Sequence, residues 1–157
     1  MIKNYRKKSV CYGWLAMLAA ALTALALVSP VRAESEQDKL VKSVTTWLNV
    51  VDDGKYVESW KNFSDWFKER MPEQQWVQLL NATRPGLGKN LRRELNSVMP
   101  LKQLPTNPDG SALRDGDFRI VMFSSSFENM RNAAEIVTLE KSANGEWKVS
   151  GYFVQPR

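Results

Sequence analysis

The sequence predicts an α+β domain: three N-terminal helices packed on a curved antiparallel sheet of about four strands, preceded by a signal peptide. Three observations carry this. Apolar residues recur at helical spacing from Leu40 to Leu80, and from Leu91 the pattern changes to β-rich runs. The stretch Ala134–Val154, A-E-I-V-T-L-E-K-S-A-N-G-E-W-K-V-S-G-Y-F-V, reads as a β-hairpin. Helices first and strands afterwards give segregated layers, with the helices on one sheet face.

The chain opens M-I-K-N-Y-R-K-K, followed by an apolar run, Val10–Val28, and then S-P-V-R-A-E. A basic head, an apolar run and small residues before a break are the parts of a secretory signal, with Val31 and Ala33 at the −3 and −1 positions. The expected product is a periplasmic or secreted protein cleaved after Ala33, with domains 1–33 (signal) and 34–157 (mature). The alternative is an inner-membrane anchor at 10–28, since a span needs roughly 20 residues. Membrane contact is expected only through that segment when uncleaved.

Removing Met1–Ala33 takes away five basic residues and no acids, so the 22 basic residues fall to 17, matching the 17 acidic ones. The basic balance therefore belongs to the leader and gives no argument for a nucleic-acid partner. Residues 34–157 contain no cysteine and no histidine. That removes disulfides, the usual zinc and copper ligands, cysteine nucleophiles and histidine bases, so no metal and no cofactor is expected.

In the first helix Leu40, Val44, Trp47, Leu48 and Val51 form one stripe, and Gly54 stops it after Asp52 and Asp53, read as an exposed turn. A second helix, Tyr56–Phe63, puts Tyr56, Trp60 and Phe63 on one stripe, a pattern of core packing. Ser64-Asp65 caps a turn carrying Trp66 and Phe67. Pro72 suits the first turn of the third helix, with Trp76, Leu79 and Leu80 inward and Pro85-Gly86 and Gly88 ending it.

Leu91–Leu104, with Pro100 in its middle, is an edge or broken strand. Pro105–Gly116 is a loop and Phe118–Phe127 a strong strand. In the hairpin, a two-residue turn at Asn144-Gly145 would set Lys141 against Lys148 and Leu139 against Ser150. A three-residue loop with Gly145 left-handed instead pairs Leu139 with Val149, Thr138 with Ser150 and Glu140 with Lys148, which is better on every count. One face, here called inner, then carries Glu135, Val137, Leu139, Trp147, Val149 and Phe153. The outer face carries Ile136, Thr138, Glu140, Lys148, Ser150 and Tyr152, with Ile120 and Met122 beside them.

Four stretches together resemble a known family. They are W-(x)n-G-x-Y-x-x-S-W around Trp47, Gly54, Tyr56 and Trp60; R-P-G-L-G at Arg84–Gly88; L-P-x-x-P-D-G at Leu104–Gly110; and E-x-V-T-L…G-E-W-K-V-S-G-Y-F at Glu135–Phe153. Their order and spacing look like the exported bacterial domain-of-unknown-function family 4019. The chain departs from its pattern at Ser111–Asp117, where the loop is longer. The resemblance implies the cone of the nuclear-transport-factor-two-like, or cystatin-like, superfamily, and brings no activity with it.

Glu135 is the one acid on the apolar face. A lone carboxylate there would lose several kcal/mol of solvation, so it needs a partner or a proton. Arg84 is the first candidate and Arg93 the second; with Lys89 and Arg92 they also suggest an anion-binding mouth. Two function classes follow. One is a non-catalytic periplasmic binding or protein-interaction module, taking a small apolar ligand in a cone lined by Trp60 and Trp76, or a protein partner. Homodimerisation through an outer patch of Ile120, Met122, Ile136 and Tyr152 is the form of partnership this patch suggests. The other is a small enzyme using Glu135 as general acid or base with Tyr56 or Tyr152 as donor, by analogy with cone-fold enzymes. An open cavity around Glu135 would favour the enzyme or ligand reading, and a filled cone the interaction module.

Overall fold

The computed structural model describes residues 34–106, 110 and 112–157. The expected signal peptide, its cleavage point and the alternative anchor lie outside the described residues. Four helices, α1 (Glu36–Asp52), α2 (Tyr56–Lys61), α3 (Asp65–Arg70) and α4 (Glu73–Leu87), precede four strands, β1 (Asn90–Pro105), β2 (Leu113–Phe127), β3 (Ala133–Lys141) and β4 (Trp147–Pro156). The strands form one antiparallel meander in the order β1-β2-β3-β4. Among the described residues no helix is long and apolar enough to cross a membrane.

Helix α1 begins with a reciprocal cap. The Ser35 hydroxyl accepts from the Asp38 backbone N–H at 3.1 Å, and the Asp38 carboxylate accepts from the Ser35 N–H at 3.1 Å. The stripe expected from the sequence, Leu40, Val44, Trp47, Leu48 and Val51, is the face it buries. Helix α2 ends at Lys61, earlier than expected, because Phe63 leaves it to bridge β4 in parallel. Ser64 N–H donates to the Val149 carbonyl at 2.7 Å and Val149 N–H to the Asn62 carbonyl at 3.0 Å. The turn expected at Trp66-Phe67 is a helix of its own, α3, with Ser64 as its cap, which makes four helices where three were expected. In α4, Trp76 and Leu80 are buried but Leu79 is exposed, and the helix continues past Pro85-Gly86 to Leu87, with Gly88 as its cap. Gly88 has φ +73, and a Cβ there would stand 2.7 Å from the Glu128 carboxylate, so both backbone and space require glycine.

The core is aromatic. Phe63 meets Trp47 and Trp76 edge-on at 5.7 and 4.8 Å and stacks on Phe67 at 4.0 Å. Each indole of this region is satisfied. Trp47 donates to the Ser59 carbonyl, Trp76 to the Ser59 hydroxyl and Trp60 to the Met71 carbonyl, all at 2.9 Å. Val121, Phe123, Val137, Leu139 and Val149 supply the sheet side of the same cluster.

Strand β1 is an edge strand, which accommodates Pro100, and three register shifts interrupt its pairing with β2. Strand β2 starts at Leu113, within the expected loop, and pairs with the end of β1 as far as Pro105. The hairpin loop is the three-residue form. Gly145 N–H donates to the Ser142 carbonyl at 2.8 Å, Gly145 has φ +86, and Leu139 faces Val149 with Glu140 facing Lys148.

One residue further the register departs from expectation. Thr138 faces Gly151 and not Ser150, so Ser150 is the extra residue of a bulge. The bulge inverts the parity of everything after it. Tyr152 faces Val137 and joins the core, while Phe153 faces Ile136 and is 65% exposed. The sequence reading had these two the other way round. Deleting Ser150 should remove the bulge and keep Tyr152 opposite Val137, whereas inserting one alanine between Gly151 and Tyr152 should turn Tyr152 outward and cost about 3 kcal/mol or more in urea melts. An insertion variant as stable as the wild type would contradict this register.

Candidate functional site

Behind the aromatic core lies a closed set of charged side chains drawn from six elements. Asp52 is the last residue of α1 and Arg84 lies in the last turn of α4. Arg93, Ser125, Glu135 and Tyr152 come from β1, β2, β3 and β4 in turn. The register places Arg93 opposite Ser125, and puts Phe123, two residues along β2, opposite Glu135. Tyr152 reaches the same place only because of the bulge at Ser150.

Glu135 has no exposed surface. Arg93 donates to it through both arms of its fork, Nε to Oε2 at 2.6 Å and Nη2 to Oε1 at 3.2 Å. The Tyr152 hydroxyl donates to Oε1 at 2.7 Å and the Ser125 hydroxyl to Oε2 at 2.9 Å. Four hydrogen bonds use the four lone-pair positions of a carboxylate, so no acceptor site on Glu135 is left free. Arg93 Nη2 also pairs with Asp52 Oδ2 at 2.9 Å. Arg84 closes the ring, donating to Asp52 Oδ1 and, at 3.1 Å, to the Tyr152 hydroxyl, with its guanidinium 5.1 Å from the Phe127 ring centre. Two arginines and two carboxylates make the cluster neutral.

Burial works against the charge on Arg93. The hydrogen bonds and charges of Glu135 and Asp52 outweigh it and hold the guanidinium pKa above its ordinary value. Burial, and then the negative charge of Glu135, push the Tyr152 phenol well above the ordinary tyrosine value, although the charge of Arg84 pulls the other way.

The sequence candidates therefore divide. Glu135 and Tyr152 do meet. Arg93, the second choice, is the direct partner of Glu135, whereas Arg84 reaches it only through Tyr152 and Asp52. Tyr56 packs against the core outside this network, and Trp60 and Trp76 are engaged by Met71 and Ser59. The basic stretch does not act as one mouth: Arg84 and Arg93 are internal, while Arg92 is exposed and paired with Glu94 at 2.6 Å. Asp52, read as part of an exposed turn, belongs to the network. Its position four residues after Leu48 on the buried stripe is the signal that would have found it.

A second ion pair was also missed. Glu140 faces Lys148 in register, yet its charge goes to Arg114, while Lys148 pairs with Glu146. Arg114 lies between the rings of Trp66 and Phe118, at 4.1 and 4.8 Å from their centres, and donates to the Ser150 hydroxyl at 3.3 Å. Among the described residues no group of three or more acidic, cysteine or histidine side chains could hold a metal ion. The hollow that reaches Arg84 and Tyr152 lies between α4 and β4. Its volume is about 220 Å³.

Residues 43–152 match the model of a family described as protein of unknown function (DUF4019). The chain belongs to this family. No curated protein matches it. The matched span holds the whole network, from Asp52 to Tyr152.

Two expectations follow. Arg93→Met and Glu135→Gln should each cost about 3 kcal/mol by leaving a buried charge unpaired, and replacing both with apolar residues should recover much of that loss. Strictly additive losses in urea melts would mean the two side chains do not meet. The raised Tyr152 pKa predicts a pH effect of definite sign. Its stabilisation is complete below the unfolded tyrosine value near about 10 and is lost as pH rises toward the higher folded value. Stability should therefore fall above about pH 10, and Tyr152→Phe, less stable at neutral pH, should show a shallower alkaline decline. Equal alkaline slopes would contradict this.

Proposed function

We propose that the protein is an exported, non-catalytic interaction module that works through the outer face of its sheet and has the nuclear-transport-factor-two-like cone as its fold. The observation that carries the reading is the state of Glu135. A general acid or base needs access to substrate and a free lone pair or transferable proton. Glu135 has no exposed surface and already accepts four hydrogen bonds. Trp47, Phe63, Trp76 and Tyr152 fill the space in front of it, which supports an interaction module over a cone that holds substrate.

The outer face offers the contact surface. Two adjacent rungs, Met99–Ile120–Thr138–Gly151 and Ser97–Met122–Ile136–Phe153, run across all four strands. Met99 and Phe153 are exposed, and Ile120, Met122 and Ile136 are half-buried. Phe153 takes the place in this patch that the sequence reading gave to Tyr152. Contiguous apolar surface of this kind marks interfaces, and the two-fold pairing of such a face with itself is the simplest closed assembly.

The wild type should be a dimer at tens of micromolar, about the range where a modest interface shows. Ile136→Lys and Met122→Lys should give folded monomers by light scattering. A wild type already monomeric there would contradict self-association. For export, the purified protein should begin at Glu34 on N-terminal sequencing; a chain beginning at Met1 would favour the anchor.

A further inference from the structure

At one end of the outer face, beyond the apolar rungs, the strand surface changes character. Near its end strand β2 carries Ser124-Ser125-Ser126, and Ser125 points inward to Glu135. Ser124 and Ser126 lie on the opposite face, across from Glu94 and Arg92 of β1. Their small side chains leave a hollow of about 280 Å³, rimmed by Arg92, Arg131 and Arg157. The end of β4 is tied to the turn before β3, where Arg157 N–H donates to the Asn132 carbonyl at 3.0 Å. That brings the third arginine across the sheet, and its Nη1 donates to the Ser124 hydroxyl at 2.7 Å. The Ser124 proton is thereby left to point elsewhere.

The charge around this hollow is unbalanced. Three guanidiniums line it with one acidic side chain, Glu94, whose bond to Arg92 is exposed and readily exchanged. Arg131 has no hydrogen-bond or ion-pair partner among the described residues. Residues 34–157 carry equal numbers of acidic and basic side chains, so this clustering is local. It also contrasts with Arg84 and Arg93, whose charges are neutralised inside the protein. Guanidinium forks match the oxygen geometry of tetrahedral and planar oxyanions, and hydroxyl donors beside them add to the match.

We propose that this hollow binds a phosphate-class oxyanion, either free in solution or carried as the head group of a lipid. The Ser124 and Ser126 hydroxyls would donate to the anion between the three arginines, of which Arg131 has no partner among the described residues. This site does not depend on self-association of the apolar rungs. It is also distinct from the buried network: Ser125 borders both, and its hydroxyl is turned inward to Glu135.

The test is calorimetry at low ionic strength with pyrophosphate and inorganic phosphate, beside flotation with vesicles of phosphatidylglycerol and of phosphatidylcholine. The full chain is compared with Arg92→Gln/Arg131→Gln, with far-ultraviolet circular dichroism and thermal melts confirming that the variant folds. Saturable pyrophosphate binding that weakens about tenfold or more in the variant supports the site and assigns a free anion. Binding to phosphatidylglycerol vesicles alone, lost in the same variant, supports it and assigns a lipid head group. Absence of both, or binding that a folded variant retains unchanged, overturns the proposal. Should the double variant fail to fold, Arg131→Gln alone, in an exposed turn, carries the same comparison.

Discussion

The buried pair of Arg93 and Glu135 constrains the rest of this structure. A fully enclosed carboxylate would cost several kcal/mol of lost solvation, and each of its oxygens needs donors with good geometry. Those donors come from β1, β2 and β4, and the charge left on Arg93 is shared with Asp52 at the end of α1. Asp52 in turn holds Arg84 from α4. Both long helices and all four strands must therefore be in register at once. A sheet slipped by one residue would turn Glu135 outward and strand an arginine inside, a loss of about 3–5 kcal/mol. Buried ion pairs in general add little net stability relative to an apolar core, while separating their members is costly, so such a network penalises every arrangement that parts them.

The bulge at Ser150 is part of the same constraint. Without it, the alternation that brings Val149 inward would send Tyr152 out. The extra residue turns the phenol toward Glu135 and moves Phe153 to the outer surface. One backbone irregularity thus completes the polar interior and supplies the most exposed aromatic ring of the apolar patch.

Much of this was legible in the residues. The α1 stripe, the three-residue hairpin loop, the edge position of the proline-containing strand and the need of Glu135 for an arginine all follow from periodicity, turn chemistry and solvation. What the sequence did not show has physical reasons. A bulge leaves no compositional mark when a serine occupies it, so strict alternation mis-assigned Tyr152 and Phe153. The sequence favours Arg84 over Arg93 because the helix that Arg84 ends is expected to lie across the inner face. The cross-strand register that sets Arg93 opposite Ser125 decided otherwise. Asp52 was hidden by the turn-forming glycine two residues later, although its place on the Leu48 stripe pointed inward. Helix α3 was reduced to a turn because six residues carry too little periodicity to separate the two. Arg114 lay in an expected loop, so its stacking between Trp66 and Phe118 was beyond reach.

A sealed polar interior directs functional attention to the surface, where an apolar face and a basic hollow lie on the same side of the sheet. The account stands on Glu135 being closed by Arg93, and side-chain nitrogen NMR tests that most directly. The Arg93 Nε–H should give a resolved signal that exchanges with solvent far more slowly than that of exposed Arg92, and Glu135→Gln should abolish the protection. An Arg93 signal that exchanges as fast as Arg92 in the folded wild type would mean that the site is open and the account wrong.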